Sequence, residues 1–255
     1  MTHWWQDLFD EKYLRMFAEA RPPMRTEQEV EALLAVLEQH CDQPADVLDL
    51  ACGYGRIALP LALAGHQVTG LDLSGYLLNA AKSAAGQAGV SVTWQEGDMR
   101  TLPAGWTAQF DAVLNMFSAF GYFDEAADNQ QVLAEVARVL RPGGIFILDL
   151  AQRDALVHNF RPTDWFEVDD LLVCVSRQFD AITGSSTEYW LWSDEQGERQ
   201  SLYFRVHLYN ATELTSMLQA AGLEPLEYYG NLATPLDENP FEPFNSRLVI
   251  VAKKL

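Results

Sequence analysis

The segment Val47-Leu48-Asp49-Leu50-Ala51-Cys52-Gly53-Tyr54-Gly55-Arg56-Ile57 constrains the fold of this chain more than any other. Residues with the pattern of a buried strand run into two glycines spaced by one residue, and a helical pattern begins at once. A chain that turns from strand to helix so tightly needs residues without Cβ at the bend, where the backbone takes up strained angles or touches a ligand. Asp49 lies inside the strand just before the bend. A carboxylate placed there needs a partner that compensates its desolvation, so the turn reads as a ligand site rather than a plain connection.

The surrounding pattern extends that unit. Strands are expected at 46–51, 67–73, 90–96, 110–115 and 145–150, with helices between them at about 55–64, 74–87 and 124–140. Ser74 is the expected N-cap of the second of these helices. Thr26 and Glu29 form a capping box for an earlier helix over about 27–40. Regular alternation of strand and helix predicts a doubly wound, mostly parallel α/β sheet. The pattern then changes. Leu171–Phe179, Thr187–Trp192 and Ser201–Tyr209 alternate in the strand manner and predict an inserted antiparallel β meander. Its core is expected from Trp190, Trp192, Tyr203, Phe204 and Tyr209, with His207 structural. Asn210 and Glu213 cap a further helix, and 225–230 and 246–253 bring the sheet to seven strands. The implied domain plan is an N-terminal helical cap (1–40), a core made of 41–150 and 210–255, and an inserted lid (151–209).

Composition narrows the partners. A net charge of −19 with dispersed acidic residues repels phosphate backbones, so nucleic acid is not an expected partner and a small neutral or cationic substrate fits better. No apolar run approaches the roughly 20 residues of a membrane helix, and the N-terminus has no signal-peptide pattern. The three scattered cysteines support neither a disulfide framework nor a metal cluster. A cytoplasmic location is the expectation. A homodimer is left open.

Ligands of open α/β sheets sit beyond the carboxyl ends of the strands, where the strand order reverses. Asp72 lies about 20 residues past the first glycine, where a carboxylate can accept from both hydroxyls of a ribose. Gly53-x-Gly55-x-x-Ala58 also satisfies the loose dinucleotide fingerprint, so a nicotinamide-dependent oxidoreductase is one reading. Asp49, Asp72 and Asp98 converge on one edge, however. That crowd of carboxylates disfavours a pyrophosphate and suits a ligand with a ribose, an exocyclic amine and positive charge.

The ordered series Val47 to Gly55, Val68-Thr69-Gly70-Leu71-Asp72-Leu73-Ser74, Gln95-Glu96-Gly97-Asp98-Met99 and Leu140-Arg141-Pro142-Gly143-Gly144 resembles the class I S-adenosylmethionine-dependent methyltransferases of the small-molecule type. The resemblance implies S-adenosylmethionine as cofactor, S-adenosylhomocysteine as product and a Rossmann-like sheet whose final strand is antiparallel. It also implies roles. Asp49 helps hold the methionine ammonium, and Ala51 and Gly53 let backbone approach the methionine end. Asp72 holds the ribose and Leu73 packs on adenine. Asp98 and the Met99 backbone read the ring edge, and Asn115 completes the methionine pocket. Tyr13 and Arg25 close over the cofactor carboxylate; their alternative is a core aromatic and a solvated arginine. Ala51 and Ile57 stand where other members carry glycine. Cys52 reads as packing.

For the acceptor, Phe9, Phe120, Tyr122, Arg153, His158 and Trp165 are candidates, with Tyr122 and His158 as weak catalytic candidates. Each also has a bland alternative in the core or on the surface. The expected reaction is in-line methyl transfer to nitrogen or oxygen of a small molecule. A non-catalytic S-adenosylmethionine-binding protein is the other alternative.

Overall fold

The structure, a computed structural model, describes residues 3–18, 23–194 and 196–255. Three helices lead in: α1 (Trp4–Asp7), α2 (Glu11–Ala18) and α3 (Pro23–His40). The α/β unit follows as β1 (Asp46–Leu50), α4 (Ala58–Leu63), β2 (Gln67–Asp72), α5 (Gly75–Ala88), β3 (Thr93–Glu96), β4 (Phe110–Asn115), α6 (Ala126–Val139) and β5 (Leu140–Leu150). After α7 (Arg153–His158) come β6 (Thr163–Val168), β7 (Leu171–Asp180), β8 (Ser185–Ser193) and β9 (Arg199–His207). The chain closes with α8 (Ala211–Ala220), β10 (Leu223–Tyr229) and β11 (Leu248–Lys254).

The main sheet has seven strands in the order β10-β11-β5-β4-β1-β2-β3. Strands β1 to β5 run parallel, and β11 pairs antiparallel with both β5 and β10. The order reverses between β1 and β4, which puts the glycine turn after β1 at the topological switch. Helices cover both faces. The central strands are therefore continuous apolar runs: Val47, Leu48 and Leu50 of β1 and Val113 and Leu114 of β4 are fully buried. Each such side chain contributes roughly 1.5–3 kcal/mol of burial.

The second sheet is antiparallel with the order β6-β7-β8-β9. It has four strands rather than the expected three. β6 escapes detection because Thr163-Asp164-Trp165 is polar or exposed on both faces, and pairing with β7 supplies the strand. The inner face buries Val173, Val175, Trp190, Trp192 and Leu202 against Leu8 and Met16 of the N-terminal segment. Period-two alternation sends Tyr203 outward beside Tyr189, correcting its place in the predicted core. Tyr209 lies beyond the sheet, buried against Phe120 of the main core.

The local signals fared unevenly. Ser74 caps α5 by accepting from the Leu77 amide at 3.2 Å, and Asn210 and Glu213 close a reciprocal capping box on α8. The Thr26–Glu29 box does not form. Helix α3 already begins at Pro23, whose missing N–H is harmless in a first turn, and Glu29 is drawn into ion pairs with Arg25 and Arg56 instead. Pro22, next to that start, lies outside the described residues. Among the described residues no helix is long and apolar enough to cross a membrane.

The second sheet is docked on the first through Gly121. Its φ of +95° suits glycine, and a Cβ there would stand 2.2 Å from the His207 carbonyl oxygen. The His207 amide donates to the Gly121 carbonyl at 2.7 Å. Only a residue without a side chain allows the loop after β4 to approach β9 so closely.

Candidate active site

The turn after β1 opens a cleft at the carboxyl ends of β1, β2 and β4. Asp49, Ala51, Gly53, Asp72, Leu73, Asp98 and Met99 all line it, as does Tyr13 from α2. Three of the four sequence motifs thus converge in space, through strand register rather than chain proximity; the fourth, Leu140–Gly144, opens β5 at the opposite edge of the sheet, where Arg141 pairs with Asp46 and Asp111. Ala51, Gly53 and Gly55 have φ of 61°, 55° and 83°, so the bend uses left-handed backbone at three positions.

The carboxylates differ in how they are held. Asp72 accepts from the Gly53 amide at 2.7 Å and the Ser74 amide at 2.8 Å, bracing both the glycine turn and the start of α5. Burial raises its pKa, and the amides of Ser74, Gly53 and Leu73 offset part of that. Asp98 makes a forked ion pair with Arg100, with distances of 2.6–3.2 Å. Burial opposes its charge, but hydrogen bonds from the Arg100 side chain and backbone hold it below the usual carboxylate range. Arg100 in turn binds Asp128 and lies over the rings of Phe123 and Trp5.

Asp49 is the exception. It is 2 % exposed, and its Oδ2 has no hydrogen-bond partner among the described residues. Burial pushes its pKa up to about 7; the nearby Arg56 guanidinium and the Ala58 amide work against this, while Asp72 adds to it. An orphaned buried carboxylate oxygen facing a cleft calls for a cationic or hydrogen-donating ligand group. A pyrophosphate placed there would meet the opposite charge to the one the site needs. The cleft fits the ammonium, ribose and adenine of S-adenosylmethionine. Cys52 lies beside it, buried, with its thiol pKa raised by burial and by Asp49 and Asp72, so it stays a thiol.

Two cofactor candidates are placed elsewhere. Arg25 lines a separate cleft with Asp149 and Arg247 and pairs with Glu29. Asn115 is fully buried behind the cleft, its Nδ2 donating to the Leu50 carbonyl at 3.1 Å and so tying β4 to the end of β1. The guanidinium that does line the cleft is that of Arg56, fixed by Thr26 and Glu29 of α3. It follows the second glycine directly, a position that could have singled it out.

A second cavity lies between the main sheet, the N-terminal helices and the inner face of the second sheet. Phe9, Tyr13, Phe117 and Tyr122 line both spaces. Phe17 stacks on Tyr13 at 4.5 Å and on Trp190 at 4.7 Å, bridging the α2 aromatics to the second sheet. Burial, with Tyr13 and Asp72 nearby, raises the Tyr122 pKa well above its ordinary value, so its phenol stays neutral.

Of the acceptor candidates, Phe9 and Tyr122 reach this junction and the others do not. Phe120 is a core residue, 2 % exposed. Arg153 is committed to Glu213 at 2.8 Å, and His158 packs on Phe244. Trp165 is 64 % exposed on the outer face of the second sheet, since its place in β6 alternates away from the cavity.

Sequence reasoning missed the clamp behind the junction. Phe117 and Ser118, at φ of 61° and 63°, are two successive left-handed residues other than glycine. Such backbone costs about 1–2 kcal/mol per residue and persists only where surroundings enforce it. Buried Asp149 of β5 enforces it here. Its Oδ2 accepts from the Phe117 amide at 3.0 Å, and its carbonyl accepts from the Ser118 amide at 2.8 Å. Arg247 holds Asp149 in a fork at 2.7 and 3.1 Å and donates to Ser118 Oγ.

Comparison with known proteins agrees with this geometry. Residues 47–144 match the model of a methyltransferase domain family. The candidate methyltransferase YqeM of Bacillus subtilis (strain 168) is 27 % identical over 192 residues, covering 74 % of this chain and 77 % of that protein. The CcbJ methyltransferase from Streptomyces caelestis shares the fold at a TM-score of 0.82 and 20 % identity, covering 99 % of this chain and 98 % of that one. CalS10, an amino pentose methyltransferase from Micromonospora echinaspora, does so at 0.73 and 22 %, covering 98 % and 99 %. With three of the ordered motifs gathered around one cleft and a family match spanning all four, residues 47–144 belong to a methyltransferase domain family, on a fold shared with S-adenosylmethionine-dependent methyltransferases.

Proposed function

We propose that this enzyme methylates a nitrogen of a small-molecule amine seated in the second cavity. The observation that carries the reading is the shared wall of Phe9, Tyr13, Phe117 and Tyr122, which sets the two cavities side by side, cofactor in one and acceptor in the other. When bound, S-adenosylmethionine supplies an electrophilic methyl group on a sulfonium leaving group.

In this reading Asp49 takes the ammonium through its orphaned oxygen, and Arg56 with Tyr13 takes the cofactor carboxylate in place of Arg25. Asp72 accepts from the ribose hydroxyls, Leu73 packs on adenine, and Asp98 and Met99 border the ring edge. Asn115 acts indirectly, by fixing the end of β1. The N-terminal helices and the second sheet act as the lid. Alignment of acceptor and methyl, together with exclusion of water by the aromatic walls, supplies most of the acceleration.

The choice of nitrogen follows from what the walls lack. No histidine is among the described residues lining either cavity, the neutral Tyr122 phenol is no base, and Glu188, the carboxylate among the described residues lining the second cavity, is held by Arg177 and Trp190. A hydroxyl acceptor needs a base within hydrogen-bond reach, whereas a free amine already presents its lone pair. The amino pentose acceptor of the structurally similar CalS10 is in keeping with this. The test is transfer of radiolabelled methyl from S-adenosylmethionine to a panel of small amines and the matching alcohols. Label in the amines is the expected result; label confined to alcohols or to macromolecules refutes the reading.

A further inference from the structure

Ser186 of β8 is 5 % exposed, lines the second cavity, and its Oγ has no hydrogen-bond partner among the described residues. A hydroxyl buried without a partner is costly, and one held on a regular strand is not there by default of sheet geometry. Two residues along, on the same face, stands Glu188. Its Oε1 accepts from Arg177 Nε at 3.1 Å and its Oε2 from Trp190 Nε1 at 2.8 Å, leaving acceptor capacity on each oxygen. Arg177 is shared with Asp164, so the Glu188 charge is incompletely neutralised at this end of the cavity. The remaining walls there, Trp190 and Phe204, are aromatic.

We infer that Ser186 and Glu188 form an anchoring subsite for a hydroxyl group carried by the acceptor at a distance from the methylated nitrogen. A hydroxyl both donates and accepts. It can donate to Glu188 while accepting from Ser186, which satisfies the buried serine and uses the spare capacity of the carboxylate. An acceptor with only apolar surface at that place leaves both groups unpaired, and sites built in this way discriminate strongly. The substrate class is thus a hydroxylated amine with an apolar face for the aromatic walls. This rests on the amine reading above.

The experiment measures binding of trans-4-aminocyclohexanol and cyclohexylamine to the full chain saturated with S-adenosylhomocysteine, by calorimetry. The hydroxylated amine is expected to bind at least about tenfold more tightly. Ser186→Ala is expected to abolish that preference while raising the melting temperature without acceptor by about 2 °C, because it removes the unsatisfied hydroxyl. Ser186→Thr keeps the hydroxyl and the preference, and Glu188→Gln weakens it. Equal binding of the two amines, or a preference unchanged by Ser186→Ala, overturns the subsite and leaves the amine reading standing. Failure of both amines to bind beside intact S-adenosylhomocysteine binding overturns the amine reading and the subsite with it.

Discussion

Replacing Asp49 by asparagine separates the role of its charge from that of its shape. Burial pushes the carboxyl pKa up to about 7, against a usual 3.8. The folded state therefore keeps a proton that the unfolded chain has already lost between those two values. Below about pH 4 both states are protonated and the carboxyl carries no penalty. As pH rises from 4 to 7 the folded state loses stability by about 1.4 kcal/mol per pH unit, and the loss levels off above 7. The gap sets a ceiling of about 4 kcal/mol, lowered by whatever water enters the mouth of the cleft. The amide of the Asp49→Asn variant does not titrate and has no such dependence. The variant is expected to match the wild type near pH 4 and to exceed it by up to this ceiling at pH 8, read by urea unfolding at both pH values. Cofactor binding should move the other way. S-adenosylhomocysteine should bind the wild type about tenfold more weakly per pH unit below 7, while the variant binds weakly at every pH. A stability difference of the same size at pH 5 and pH 8 would refute the reasoning, because it would mean that Asp49 carries no displaced proton.

Two further outcomes follow from the strained turns. Ala51→Gly should stabilise the protein by about 0.5–1 kcal/mol, since glycine relieves the left-handed strain at φ 61° but loses more entropy on folding; thermal unfolding checks it. Arg247→Met leaves Asp149, 4 % exposed, without its cationic partner and should cost about 3–5 kcal/mol in urea unfolding, with Arg247→Lys intermediate because it keeps the charge but not the fork.

What the sequence by itself determined was whatever depends on neighbours along the chain. The glycine bend at 53–55, the Ser74 and Asn210 caps and the alternation of strand and helix are local, and all formed. Asp49, Asp72 and Asp98 were legible because each sits at a fixed offset from the end of a strand, and a parallel sheet brings those ends together. Tertiary structure decided everything that depends on which face meets which. Thr26 and Glu29 have the spelling of a cap, yet an arginine 27 residues away in the chain claims the carboxylate. Arg25 and Arg56 look alike as cations, and only the docking of α3 turns one out of the cleft and holds the other in it. Trp165 and Tyr203 carry the same aromatic signal as Trp190 and Phe204, but the register of the second sheet sends the first two to solvent and the others to the cavity. Asp149 and Ser186 gave no signal in the chain at all. A clamp and an unsatisfied hydroxyl exist only once distant strands enclose them, because burial, and not residue type, is what makes a polar group demand a partner.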